Sequence, residues 1–301
     1  EMATVLRQFA TDHRLHRAEN LPLQAEERAL ASRYAQIVGS LSADIDGEEL
    51  TLPALAARQT LPDRAAREKA WRAGAEKMLE SRPALDALFD ELTALRRTIA
   101  ANAGFDNYAD YRWQQLGRFD YSAEHGRRLR ESVLEAVVPA LRRQSARRAR
   151  MLGLDALRPW DVEVNPRGEE PLRPFADAQH LAELAERMLD RVHPVAGDVV
   201  RTLRTENLLD LANRPAKAPG GYCSTLADSG RAFIFMNAVG TDDNLRTMVH
   251  ESGHALHAIE RRDLPWVWQR DAPMEVCELA SMSMELLASP YLERGSGGPY
   301  D

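Results

Sequence analysis

The stretch Met248-Val-His-Glu-Ser-Gly-His-Ala-Leu-His-Ala258 leaves this chain little freedom in what it can build. Its HExxH pattern, His250, Glu251 and His254, has a chemical meaning only on a helix. With about 3.6 residues per turn, the two histidines stand one turn apart on one face, both imidazoles pointing the same way. That spacing suits two ligands of a single zinc ion. Glu251 directly follows the first histidine, where a base reaches a metal-bound water without occupying the metal. The competing reading is a pair of surface histidines on an amphipathic helix, and the neighbouring residues must separate the two.

Those neighbours signal a helix with a strand before it. In Arg231-Ala-Phe-Ile-Phe-Met-Asn237 the side chains alternate, so Phe233, Phe235 and Asn237 share one face while Ile234 and Met236 share the other. Gly240 turns the chain. Thr241 offers an N-cap, Asp242 and Asp243 acids for the first turn, and Arg261 and Arg262 cations at the C-terminal end. Gly253, between the histidines, costs about 1 kcal/mol relative to Ala in a helix. Close approach of another backbone, or of a substrate, would explain it.

Elsewhere the 301 residues read as mainly helical, with hydrophobic residues at 44% and charged residues at 28%, the latter spread along the chain as in a folded protein. Helical runs cover residues 1–39, 62–81 and 83–104, the last two expected as an antiparallel pair broken at Pro83, then 122–152, 176–192 and 194–203. Ala43–Leu52 reads as a hairpin turning at Asp46-Gly47, residues 105–121 as a turn, and Val162–Val164 as a short strand. The Pro- and Gly-rich stretch before Pro174 gives the internal boundary, with 1–165 as a helical lobe and 166–301 as the catalytic core.

A formal charge of −7 gives no general attraction for nucleic acid. Arg142, Arg143, Arg147, Arg148 and Arg150 read as a solvated helix face, with no aromatic platform among them. No apolar run is long enough to cross a membrane. Two cysteines, Cys223 and Cys277, form no disulfide framework and suit a reducing compartment, so a cytoplasmic location is the default expectation. Nothing in the sequence sets the oligomeric state.

Two histidines need a further protein ligand, leaving one position open. The HExxHxxGxxH solution fails, because Glu260 stands where its third histidine belongs. His257 is expected to be packed or solvated. The helical stretch 274–287 holds Glu275, Glu278 and Glu285 on one side, and periodicity does not choose among them.

Several stretches resemble the zinc oligopeptidases that include oligoendopeptidase F and thimet oligopeptidase: Pro219-Gly-Gly-Tyr-Cys223, Phe233-Ile-Phe-Met-Asn-Ala-Val-Gly-Thr241, His250-Glu-Ser-Gly-His-Ala-Leu-His257 and Glu278-Leu-Ala-Ser281. Asn107-Tyr-Ala-Asp-Tyr111, Arg118-Phe-Asp-Tyr121 and Leu157-Arg-Pro-Trp-Asp161 are similar to the bacterial oligoendopeptidase F branch. The resemblance implies one zinc ion per chain on His250, His254 and Glu278, with Glu251 as catalytic base and Glu285 orienting a ligand. It implies a two-lobed, mainly α metallopeptidase with a gluzincin-type HExxH helix, a small active-site β-sheet and a deep channel, cleaving short unstructured peptides internally. Phe233, Phe235, Asn237 and Ala238 would lie on a strand whose edge pairs with the peptide backbone, simple core packing being the rival reading for the two phenylalanines. The family also implies a later segment supplying a histidine and tyrosines to substrate and oxyanion. Here the sequence ends at Asp301, Tyr291 and Tyr300 do not fit that motif, and the N-terminal lobe reads as shortened, so a fragment is expected. A non-catalytic or weakly active zinc-braced peptide-binding helical module and a related HExxH carboxypeptidase are the alternatives.

Overall fold

A computed structural model describes residues 2–293, 295–296 and 298–300; of the closing stretch 295–301, which reads as a loop, Gly297 and Asp301 lie outside the described residues. In chain order the elements are α1 (Met2–Leu15), α2 (Asn20–Gly39), β1 (Ser42–Ile45), β2 (Glu48–Thr51), α3 (Leu52–Arg58), α4 (Arg64–Asn102) and α5 (Tyr108–Gln115). There follow α6 (Ala123–Ser132), a π-helical segment (Val133–Val137), α7 (Val138–Met151), α8 (Ala178–Val192), α9 (Pro194–Thr205), β3 (Leu209–Ala212), β4 (Tyr222–Leu226), β5 (Arg231–Ala238), α10 (Asp242–Arg261) and α11 (Met274–Ala288). The chain is thus mainly helical with two small sheets. It divides into two units, residues 1–37 with 59–170, and residues 38–58 with 171–301. The hairpin segment expected in the N-terminal lobe therefore sits in the second unit.

In the first unit α4 begins where Asp63 accepts a hydrogen bond from the Ala65 N–H at 2.9 Å. It then runs unbroken past Pro83, so the expected antiparallel pair is one long helix. Proline removes one N–H and pushes on the carbonyl four residues back. That carbonyl belongs to Leu79, which is exposed, so water can satisfy it. Pro139 acts differently: the π-helical segment ends two residues before it and widens the helix between α6 and α7. Residues expected as turn include the short helix α5, capped by Asn107 accepting from the Asp110 N–H, with Tyr111 buried against Leu15, Ile99 and Ala100. The expected strand at Val162–Val164 is absent. Its Val162 and Val164 carbonyls instead accept from the Arg148 guanidinium, which removes the need for a sheet partner.

The buried Asp161 carboxylate ties this unit together, accepting from Arg64 at 2.9 Å on both oxygens, from Arg67 at 3.2 Å and from the Arg158 N–H at 2.9 Å. Arg64 foremost, then the Arg158 N–H and Arg67, hold its pKa at about 2 against the opposing effect of burial. A depressed folded-state pKa stabilises above the unfolded value of about 3.9 and ceases to do so as pH falls through the folded one. Urea denaturation followed from pH 7 down to 2 should therefore show about 2 kcal/mol of stability lost between about pH 4 and pH 2. Asp161→Asn should remove that acid-sensitive component; an unchanged pH profile in the variant would overturn the assignment.

In the second unit the hairpin turns at Asp46 (φ 59°) and Gly47 (φ 84°), the paired positive φ values of a type I′ turn. The larger sheet has the order β3-β5-β4, with β3 parallel and β4 antiparallel to β5. Its core side, with Ala232, Ile234 and Met236, packs among Leu181 and Leu189 of α8, Val200 and Leu203 of α9, and Leu245 and Met248 of α10. Thr241 caps α10, accepting from the Asn244 N–H at 3.4 Å. No described helix is long and apolar enough to cross a membrane.

Candidate active site

Helix α10 carries His250 and His254 on one face, and α11 crosses close to it. A Cβ built on Gly253 would lie 2.8 Å from Ser281 Cα, 3.0 Å from Met284 Cβ and 3.1 Å from the Ala280 oxygen. Glycine is what lets the helices meet at this point. The close approach brings Glu278 to the histidines: its Oε2 is 3.4 Å from His250 Nε2 and 3.8 Å from His254 Nε2. One donor atom from each of the three residues lies within 4.8 Å of the other two.

Two of these side chains are held by others. His250 Nδ1 donates to Glu285 Oε1 at 2.7 Å, leaving Nε2 with its lone pair free for a metal. Ser281 Oγ donates to Glu278 Oε2 at 3.2 Å. Burial lowers the His254 pKa, its neighbour His250 adding to the effect while Glu278 and the Cys277 backbone oppose it. Two nitrogens and one oxygen with oriented partners form a donor set suited to zinc.

Glu251 is buried beside this cluster. Burial raises its pKa above the ordinary carboxyl value, Glu278 reinforces this, and His250 and the Cys223 N–H oppose it. Its Oε2 has no hydrogen-bond partner. A buried, unpartnered carboxylate oxygen is costly unless something in use faces it. The two glutamates border a cavity of about 420 Å³ that is also lined by Gly221, Tyr222, Cys223 and Thr225 from the sheet side, by His257 and Arg261 from α10, and by Met274 and Cys277 from α11.

The sequence model of peptidase family M3 matches residues 58–296. The chain belongs to peptidase family M3. A relative is Group B oligopeptidase PepB of Streptococcus agalactiae serotype III (strain NEM316), 32% identical over 170 residues that make up 54% of this chain and 27% of that protein. A solved structure assigned as oligoendopeptidase F from Bacillus anthracis str. Ames matches with a TM-score of 0.90 at 28% identity, over 95% of this chain and 53% of that one. PZ peptidase A with an inhibitor matches with 0.90 at 30% identity, over 95% and 51%. The chain thus has the helical oligoendopeptidase F fold, spans about half the length of these structures, and carries the family its motifs imply.

Within this M3 chain, His250, Glu251, His254, Glu278 and Glu285 come together, whereas Glu275 is not part of the cluster. The strand residues fall elsewhere. β5 is the central strand, paired on both sides, so it has no free edge; among the described residues the outer strands of this sheet are β3 and β4. Phe233, Phe235 and Asn237 lie on the face opposite Ile234, and neither they nor Ala238 lines the cavity. Phe235 stacks on Tyr222 with centroids 4.9 Å apart, and Lys217 Nζ lies 4.3 Å from its ring centre. Asn237 Nδ2 donates to the Ala218 and Gly220 carbonyls, each at 2.9 Å, fixing the approach to β4. Ala238 packs on the core. Tyr291 donates to the Arg191 carbonyl and Tyr300 to Asp242, and neither lines the cavity. Cys223 does line it, but burial above all, with Glu251 adding, pushes its thiol to about 12, which makes it a poor nucleophile.

Sequence reading did not single out Ser281, whose hydroxyl donates to Glu278. Ser281 had one signal, its place three residues after Glu278 and so one turn along.

Proposed function

We propose that this M3 chain is a zinc-dependent endopeptidase that hydrolyses internal bonds of short, unstructured peptides, with Glu251 as general base. One observation carries the reading: three donor atoms converge beside a buried carboxylate oxygen that has no hydrogen-bond partner among the described residues. A structural metal site has no need of such a base, which weighs against a merely braced binding module.

His250 Nε2, His254 Nε2 and Glu278 Oε2 would hold the ion, with Glu285 keeping the His250 ring oriented. The chemistry supplied by bound zinc is Lewis acidity toward the scissile carbonyl and the attacking water. Glu251 Oε2 would accept a proton from that water and return it to the leaving amine nitrogen, acting as base and then acid. The open edge of β4 offers backbone N–H and C=O groups to an extended peptide, so binding would draw mainly on main-chain hydrogen bonds. Two free cysteines suit a reducing compartment, and the cytoplasm is the setting we propose.

Glu278→Ala should lower bound zinc from one per chain to a small fraction and abolish cleavage of a quenched-fluorescent peptide. Stoichiometric zinc in the variant would overturn the ligand set. Mapping cuts in a peptide blocked at both ends separates the readings further. Internal cleavage supports an endopeptidase, and cleavage that requires a free C-terminus supports a carboxypeptidase.

A further inference from the structure

Helix α10 presents a row of four side chains to the cavity: His250, His254, His257 and Arg261. Spaced three or four residues apart, they form one stripe along the helix. The reaction proposed above uses the first two and leaves the last two without a role.

Arg261 is the only lysine or arginine among the cavity residues. Its Nε donates to the His257 carbonyl at 3.2 Å, and among the described residues no carboxylate pairs with it. Other arginines of the same unit differ: Arg201, Arg204, Arg214 and Arg246 each have a carboxylate partner within 3.0 Å. With Nε engaged, Arg261 keeps two terminal nitrogens, the fork that matches a carboxylate. Burial first, and then the Arg261 charge, hold His257 below the ordinary histidine value. The cavity carboxylates, Glu251 and Glu278, are committed to the base and the metal.

The direction of β4 ties this end to the bound peptide. The strand starts beside Glu251: a Cβ added to Gly221, just before it, would lie 3.8 Å from Glu251 Oε1. Its far end leads into the turn at Gly230, where an added Cβ would lie 3.9 Å from Arg262 Cβ. The open edge therefore runs from the catalytic glutamate toward the C-terminal end of α10. Along the helix, His254 to Arg261 is about 10 Å at 1.5 Å per residue, which an extended peptide covers in about three residues.

We infer that Arg261 is a specificity-determining residue that binds a carboxylate carried by the peptide about three residues from the bond to be cleaved. The inference rests on the peptidase reading for the position of that bond. The carboxylate can be an Asp or Glu side chain or the α-carboxylate of the peptide terminus, since the guanidinium fork accepts both. A rival role, compensation of the helix dipole in the last turn, is already met by the Nε bond to the His257 carbonyl and does not depend on peptide charge.

The test is fluorescence anisotropy with zinc-loaded Glu251→Gln chain and labelled peptides in matched sets: one Asp walked along the sequence, its Asn counterpart, and each with a free or amidated C-terminus. The expected result is about tenfold tighter binding of one acidic register than of its neutral partner. The same contrast should vanish on adding Arg261→Gln and return in part with Arg261→Lys. An effect of amidation in place of the Asp-to-Asn exchange identifies the terminal carboxylate as the source. Equal binding of acidic and neutral peptides, or discrimination that survives Arg261→Gln, overturns the inference. Hydrolysis by the unsubstituted chain keeps the two proposals apart. Cleavage indifferent to charge removes the role of Arg261 and leaves the peptidase, while charge-selective binding without cleavage does the reverse.

Discussion

Glu251→Gln is expected to lower peptide hydrolysis by about 10³- to 10⁴-fold, near the upper end of what a general base contributes, while zinc content stays at one per chain. The amide has the shape of the carboxyl but cannot accept the proton of the attacking water. It is not one of the three converging donors, so the metal should remain. Stability should hold or rise slightly, because the replaced Oε2 is a buried atom without a partner. Steady-state cleavage of a quenched-fluorescent peptide, metal analysis and thermal melting on one preparation test all three parts. A turnover rate within about tenfold of the parent would transfer the role of base to another group.

Gly253→Ala is the second large effect, and its sign distinguishes two accounts of the glycine. On helix propensity alone the change should stabilise by about 1 kcal/mol. Packing predicts the reverse. The new methyl would lie 2.8 Å from Ser281 Cα and 3.1 Å from the Ala280 oxygen, both backbone atoms that cannot rotate away. Helix α11 would have to move, at a cost of about 1–3 kcal/mol typical of overpacking. Because α11 carries Glu278 and Glu285, its displacement should also weaken zinc binding by about 10- to 100-fold, the loss seen when groups supporting a ligand are disturbed. Differential scanning calorimetry and competition with a zinc indicator read the two effects. A raised melting temperature with unchanged zinc affinity would mean that the close approach does not govern the site.

The local rules were legible where one element settles its own fate. Thr241, Asp242 and Asp243 marked the start of α10 and Arg261 its end, and Asp46-Gly47 marked the hairpin turn. They did less well where the outcome depends on surroundings. Pro83 breaks a helix only if its freed carbonyl lacks solvent, and the exposure of Leu79 is not written in the local pattern. β4, Tyr-Cys-Ser-Thr-Leu, is polar and mostly exposed, without the alternation that reveals a half-buried strand. The local pattern therefore points to β5 as an edge strand, and its pattern is clear because it lies in the middle of the sheet.

His250, Glu251 and His254 are a matter of sequence alone, since a four-residue spacing on a capped helix puts both imidazoles on one side whatever else the chain does. The family motifs, too, were in the sequence. Only the tertiary structure decided which glutamates reach those imidazoles. Glu275, Glu278 and Glu285 are alike in local pattern, and they differ in where the crossing at Gly253 sets α11 against α10: Glu278 beside both Nε2 atoms, Glu285 on the far nitrogen of His250. Helix periodicity repeats every turn and carries no information about where another helix crosses, whereas a contact between residues far apart in sequence depends on that crossing point.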